Sequence, residues 1–173
     1  MATATQVPVE VYLKSDYSPD AEYLDGVILE RPVGENDHSA WQDAICAWFR
    51  EHRDAWNLLV RPEFRVQVKI ENFLVPDVSI LDAAHPTERF ATRPPIAVFE
   101  VLSPENKIRD ILRKLDLYEQ MGIPEIWVID PPVPNSAPVW QRFERGRLND
   151  RDRFEFPERG IHFEMKEIDK LVR

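Results

Sequence analysis

The segment from Ile96 to Asp130 places the tightest limit on the fold. An apolar run, Ile96 to Leu102, is followed by Ser103-Pro104, a mixed stretch, Gly122 and a second apolar run, Ile123 to Asp130 (IPEIWVID). Short apolar runs bounded by breakers read as buried strands. Between them, Ser103 offers a hydroxyl as N-cap and Pro104 suits the first helical position. Ile108, Ile111, Leu112, Leu115 and Tyr118 then share one helical face, and Gly122 ends the helix. A strand, helix, strand order of this kind points to a parallel crossover in a mixed α/β sheet.

Upstream, Glu22 to Glu30 reads as two short strands about an Asp25-Gly26 turn, since Asp-Gly supplies the positive φ angles of a tight hairpin. From about His38 to His52, the residues Trp41, Ala44, Ile45, Trp48 and His52 recur at spacings of three and four, which predicts a helix. Phe64, Val66, Val68 and Ile70 alternate with Arg65, Gln67 and Lys69, a strand with one wet face. Phe73 to Leu81 reads as a second strand and Ile96 to Leu102 as a third. The stretch after Asp130, through VWQRF and the mixed Arg/Asp region 142–153, reads as an edge hairpin and a solvated tail.

A chain of 173 residues suits one domain, with 1–15 as an N-terminal arm and 146–173 as a C-terminal hairpin and tail. The apolar content of 43%, with five Trp and nine Phe, is that of an ordered chain. A net charge of −9 excludes a protein that holds nucleic acid by its overall field, so any such binding is local or helped by metal ions. There is no membrane-length apolar run and no signal-peptide pattern at the N-terminus, and Cys46 is alone, which together point to the cytoplasm and to no thiolate cluster.

Two acids interrupt the apolar runs. Asp77 lies in line with Val75, Ser79 and Leu81, and Glu100 with Ile96, Val98 and Leu102. A carboxylate removed from water needs a cation, a proton or a donor. If the two strands are neighbours, the acids converge into a hard oxygen site suited to Mg²⁺ or Mn²⁺. The alternative is a strand end at Asp77 after Pro76, with Glu100 in an ordinary buried ion pair. Lys114 falls at the border of the helix face beside Ile111 and Tyr118, from which its ammonium can reach Glu100, although a helix lysine is ordinarily solvated. Glu22 and His38 are further candidates; Ser103 is read as a cap and not as a nucleophile, because no His and acid accompany it.

The ordered set Glu22-Tyr-Leu-Asp-Gly26, His38, Pro76-Asp77-Val78, Glu100-Val-Leu-Ser-Pro104, Lys114 with Tyr118, and Gly122 to Asp130 resembles the Uma-two family, described as putative restriction endonucleases, of the PD-(D/E)XK nuclease superfamily. The resemblance runs from about residue 15 to residue 145. It implies a restriction-endonuclease-like mixed β-sheet flanked by helices, with Asp77 and Glu100 as metal ligands for Mg²⁺ or Mn²⁺. The superfamily lysine usually lies two residues after the second acid, where this chain has Leu102; relatives of this type supply it from the next helix, which points to Lys114. Glu22 matches an N-terminal acid of the family, His38 a helix histidine, and Tyr118 an accessory position. The activity implied is metal-dependent cleavage of DNA by a homodimer. Paired carboxylates, metal ions and a lysine match the needs of phosphodiester hydrolysis. Cations such as Lys107, Arg109 and Arg113, or Arg61, Arg65 and Lys69, would line the groove. The alternative is a domain of nuclease fold that binds nucleic acid or protein without cutting, and a glycosidase using the two acids ranks last because nothing locates a sugar cleft.

Overall fold

The computed structural model describes residues 6–32, 35–103 and 108–173. Helix α1 (Val9–Lys14) precedes strands β1 (Glu22–Leu24) and β2 (Val27–Leu29), and helix α2 (Asn36–Trp56) follows. Then come β3 (Leu58–Pro62), β4 (Val66–Lys69), β5 (Asn72–Leu74), β6 (Val78–Asp82) and β7 (Ala97–Val101). Helix α3 (Ile108–Met121) leads to β8 (Glu125–Asp130) and the hairpin of β9 (Val139–Glu144) and β10 (Arg147–Asp150). A second hairpin, β11 (Arg153–Phe156) with β12 (Ile161–Glu164), and the short helix α4 (Lys166–Asp169) complete the chain.

The main sheet has the order β10-β9-β8-β7-β6-β3 and a smaller one the order β2-β1-β5-β4. In the main sheet β7 and β8 are parallel, with Ala97 opposite Glu125 and Val101 opposite Ile129, so α3 makes the crossover that the sequence predicts. The remaining pairs are antiparallel. Because side chains alternate along a strand, the central strands feed two cores. Phe99, Val101, Trp127 and Ile129 pack with Trp41, Ile45 and Phe49 of α2, while Val98, Ile126 and Val128 pack with Ile111, Leu115 and Tyr118 of α3. A third cluster joins Tyr12 of α1 to Tyr23 and Phe73 of the small sheet. The hairpin at Asp25-Gly26 forms as predicted, with φ of 50° and 85°, the mirror-image turn that follows the strand twist.

The predicted strand from Phe73 to Leu81 is two strands in two sheets. Pro76 has no N–H to give a ladder, and the chain leaves the small sheet after β5 and enters the main sheet at β6. Asp77 therefore lies at the crossing between sheets, where its carbonyl accepts from Glu63 N–H (3.2 Å) and Gln42 Nε2 (2.9 Å). Ile70, read as a core residue of the preceding strand, is 87% exposed just past β4. Helix α2 extends four residues beyond His52 and ends at Asn57, whose φ of 53° is the left-handed cap more often made by glycine. Strand β3, unforeseen in the sequence, starts at the next residue and forms one edge of the main sheet, where its terminal Pro62 is tolerated. Pro104 and Lys107 lie outside the described residues.

The C-terminal segment is not a solvated tail. Phe154 and Met165 are fully buried, Phe154 stacks on Phe99, Trp127 and Phe163, and Ile168 joins the same core. Alternation in RFEF and IHFE turns one face of the hairpin onto the main core. Phe154→Ala is accordingly expected to lower stability by about 3–5 kcal/mol in urea unfolding, the cost of emptying a large buried site. A loss below about 1 kcal/mol, within the range of surface changes, would mean that the hairpin is peripheral.

Candidate active site

Register brings the two interrupting acids together. Strands β6 and β7 pair with Val78 opposite Phe99, and one more step places Asp77 opposite Glu100. Asp77 Oδ2 accepts the Val101 N–H at 2.7 Å, which ties the carboxylate to the neighbouring strand. Glu100 is aligned with Val98 on the α3 side of the sheet, and two residues of that helix reach it. Tyr118 Oη donates to Glu100 Oε1 at 2.7 Å, and Lys114 Nζ lies 2.9 Å from the same oxygen.

Lys114 has a second carboxylate. Its Nζ is 2.8 Å from Glu22 Oε1, and that oxygen also accepts the Val75 N–H at 3.0 Å. Glu22 comes from β1 of the small sheet, Glu100 from the main sheet and Lys114 from α3, so one ammonium joins three elements. The Lys114 side chain is only 16% exposed. The helical register explains this: Ile111, Leu115 and Tyr118 are buried against the sheet, and Lys114 sits on their border.

On the other side of Asp77 stand His38 and Arg31. His38 Nε2, from the first turns of α2, is 3.1 Å from Oδ2, and Arg31 Nη2 is 2.8 Å from Oδ1. Arg31 is the member of this cluster that pattern reading misses. It lies in the loop after β2, where no periodicity marks it, and the available signal was stoichiometric: three buried acids need more than one lysine.

The charges divide the two acids. Burial raises Asp77, but the His38 hydrogen bond and the charges of His38, Lys114 and Arg31 outweigh it and hold the carboxyl below its ordinary value. Burial pushes Glu100 up to about 7; Lys114 opposes the shift, and the like charges of Asp77 and Glu22 add to it. Burial lowers Lys114, but Glu100, Glu22 and Asp77 more than offset this, so its ammonium is held charged well above its usual range. The Asp77 hydrogen bond raises His38. A pair of carboxyls pushed apart in this way is common in catalytic sites.

These residues line a cavity of about 620 Å³. Glu30, Glu35, Glu63 and Asp110 line it too, so acids outnumber the cations Arg31, Arg113 and Lys114. Among the described residues no group of three or more His, Cys, Asp or Glu is placed to hold a metal ion. The donor set still fits Mg²⁺ or Mn²⁺, which use one or two carboxylates and complete their shell with water and phosphate oxygens. Two polar atoms at the cavity, His38 Nδ1 and Ser103 Oγ, are buried without a hydrogen-bond partner among the described residues. The groove cations expected from the sequence are less available. Arg65 is bound to Asp20 at 2.6 and 2.7 Å and lies over the Tyr12 ring, and Arg113 pairs with Asp25 at 2.7 Å.

The model of the family Uma2, described as "Putative restriction endonuclease", matches residues 9–162. The fold is similar to a crystal structure of "a putative nuclease belonging to DUF820" from Anabaena variabilis ATCC 29413, with a TM-score of 0.73 and 17% identity over 96% of this chain and 99% of that one. A looser likeness, with a TM-score of 0.45 and 13% identity, joins 80% of this chain to 12% of a chain in the DrdV–DNA complex solved by cryoEM. No curated protein matches the chain in sequence. Among the described residues no helix is long and apolar enough to cross a membrane.

The raised Glu100 carboxyl has a consequence for stability. An unfolded glutamate ionises near 4.5 and the folded one near 7, so between these values the unfolded state gives up its proton first and stability falls as pH rises. Glu100→Gln keeps the shape of the neutral acid. In thermal and urea unfolding it is expected to match the native protein at about pH 5 and to exceed it at about pH 8 by roughly 1–3 kcal/mol. A variant weaker than the native protein at the higher pH would mean that the Lys114 ion pair outweighs the burial of charge.

Proposed function

This chain belongs to the Uma2 family, and we propose that it is a metal-dependent endonuclease that hydrolyses phosphodiester bonds of DNA. The observation that carries this reading is the single cavity wall on which Asp77, Glu100 and Lys114 meet. Asp77 and Glu100 are the residues that would hold Mg²⁺ or Mn²⁺. When bound, the ion would polarise a phosphoryl oxygen, lower the pKa of a coordinated water and offset the acidity of the cavity towards phosphate.

The protein groups divide the remaining work. Lys114 is held charged, so it acts as a hydrogen-bond donor and a fixed positive charge for the negative charge that develops on the phosphoryl oxygens, and not as a base. Glu22 positions that ammonium from the small sheet, and the Tyr118 hydroxyl orients Glu100. His38 and the Val101 N–H orient Asp77. Preorganised groups of this kind need little rearrangement as charge develops. A homodimer acting in the cytoplasm is part of the same reading, because the described cations that line the cavity, Arg31, Arg113 and Lys114, are each paired with a carboxylate of the same copy.

The test is cleavage of supercoiled plasmid DNA with Mg²⁺ or Mn²⁺. Asp77→Asn and Glu100→Gln are expected to lower the rate by roughly 10²-fold or more with the fold retained, and Lys114→Met to lower it by a similar factor with Mn²⁺ binding kept. Cleavage at the native rate in both acid variants would contradict the assignment. A native protein that binds DNA and never cuts it would favour a non-catalytic binding domain.

A further inference from the structure

Arg31 has a place in this network that the roles above leave unused. It follows the last strand of the first hairpin, is 11% exposed, and lines the same cavity as Glu100 and Lys114. Its Nη2 is 2.8 Å from Asp77 Oδ1 and its Nη1 is 3.4 Å from Glu63 Oε1. The other oxygen of Asp77 is engaged by His38 and by the Val101 N–H. The open side of the carboxylate is thus Oδ1, and a cation that takes this oxygen meets the positive charge of Arg31, the partner it would displace. The Val101 N–H belongs to a central strand and His38 to a long helix, whereas Arg31 is a long side chain on a loop. Glu63, 46% exposed, is a second carboxylate already within its reach.

Building on the nuclease reading, we propose that Arg31 is a substrate-phosphate contact that serves as counter-ion to Asp77 until a divalent cation takes that carboxylate. Released from Asp77, the guanidinium stays in the cavity beside Glu100 and Lys114. Its paired, planar donors match two phosphate oxygens, which a lysine ammonium does not. Glu63 keeps it near the acids without filling both of its donor edges, since the observed contact uses Nη1 alone. The cation thus lowers the charge of free Asp77 and meets the phosphate after metal has bound, which explains why a buried guanidinium sits where a competing metal must enter.

Two titrations separate these roles. Mn²⁺ alone is titrated into the native protein and Arg31→Gln by calorimetry, and a short DNA duplex is then bound to each in Ca²⁺ to avoid cleavage. Loss of one positive charge beside the carboxylate is expected to raise Mn²⁺ affinity roughly tenfold, while loss of the phosphate contact lowers duplex affinity by roughly the same factor. Arg31→Lys keeps the charge, so it is expected to bind Mn²⁺ within about twofold of the native protein and still to lose duplex affinity; that split is decisive if the Gln variant fails to fold. Native-like Mn²⁺ affinity in Arg31→Gln, or native-like duplex affinity in either variant, overturns the assignment of Arg31 alone. Mn²⁺ binding to none of the proteins overturns it together with the nuclease reading.

Discussion

The Lys114 ammonium lies between two buried carboxylates, 2.8 Å from Glu22 and 2.9 Å from Glu100. Each partner belongs to a different sheet and the lysine to the helix that spans them, so this contact sets how the small sheet meets the main one. The cavity is the space left at that junction. Removing Lys114 would leave two like charges out of water without their counter-ion, which is more costly than never having placed them there. The same contact that joins the elements therefore keeps two carboxylates at a site where apolar packing would otherwise be cheaper.

Charge balance then decides what each acid does. Three carboxylates face two permanent cations and a histidine; burial, reinforced by the neighbouring carboxylates, holds the Glu100 proton to about neutral pH, while Asp77 takes the cations and stays ionised. This asymmetry arises from position. Asp77 sits at the break between sheets, within reach of the loop carrying Arg31 and the start of α2 carrying His38. Glu100 sits inside the central strand, and its direct side-chain partners, Tyr118 and Lys114, both come from the helix above it. Opposite places in one register have unequal surroundings.

The crossover and the convergence of Asp77 with Glu100 were legible in the sequence, because Ile96–Leu102 and Ile123–Asp130 are long apolar runs and an acid stands out in such company. Lys114 was legible as a neighbour of Glu100 from helical spacing, while Tyr118 was read only as part of the same helix face and its hydrogen bond to Glu100 came from the structure. Arg31 was not, since a loop residue has no period and its partner is 46 positions away. The break at Pro76 was hidden by the apolar residues on both sides of it, although a proline inside a strand pattern was the warning. The C-terminal hairpin was obscured by its charges: Arg153, Glu155, His162 and Glu164 alternate with Phe154, Phe156, Ile161 and Phe163, and composition reads as solvated where alternation reads as a strand.

The proposed divalent-cation site lies where Asp77, one residue before β6, faces Glu100 of β7. Its most direct test is Mn²⁺ titration calorimetry at about pH 8 on the native protein and on Glu100→Gln, above the value at which the Glu100 proton is held. A binding isotherm is expected for the native protein and its loss, or a weakening of at least roughly 10²-fold, in the variant, since removing a group that only supports a ligand already costs up to that much. Equal affinity in the two proteins would place the metal elsewhere and rule out a site at these acids.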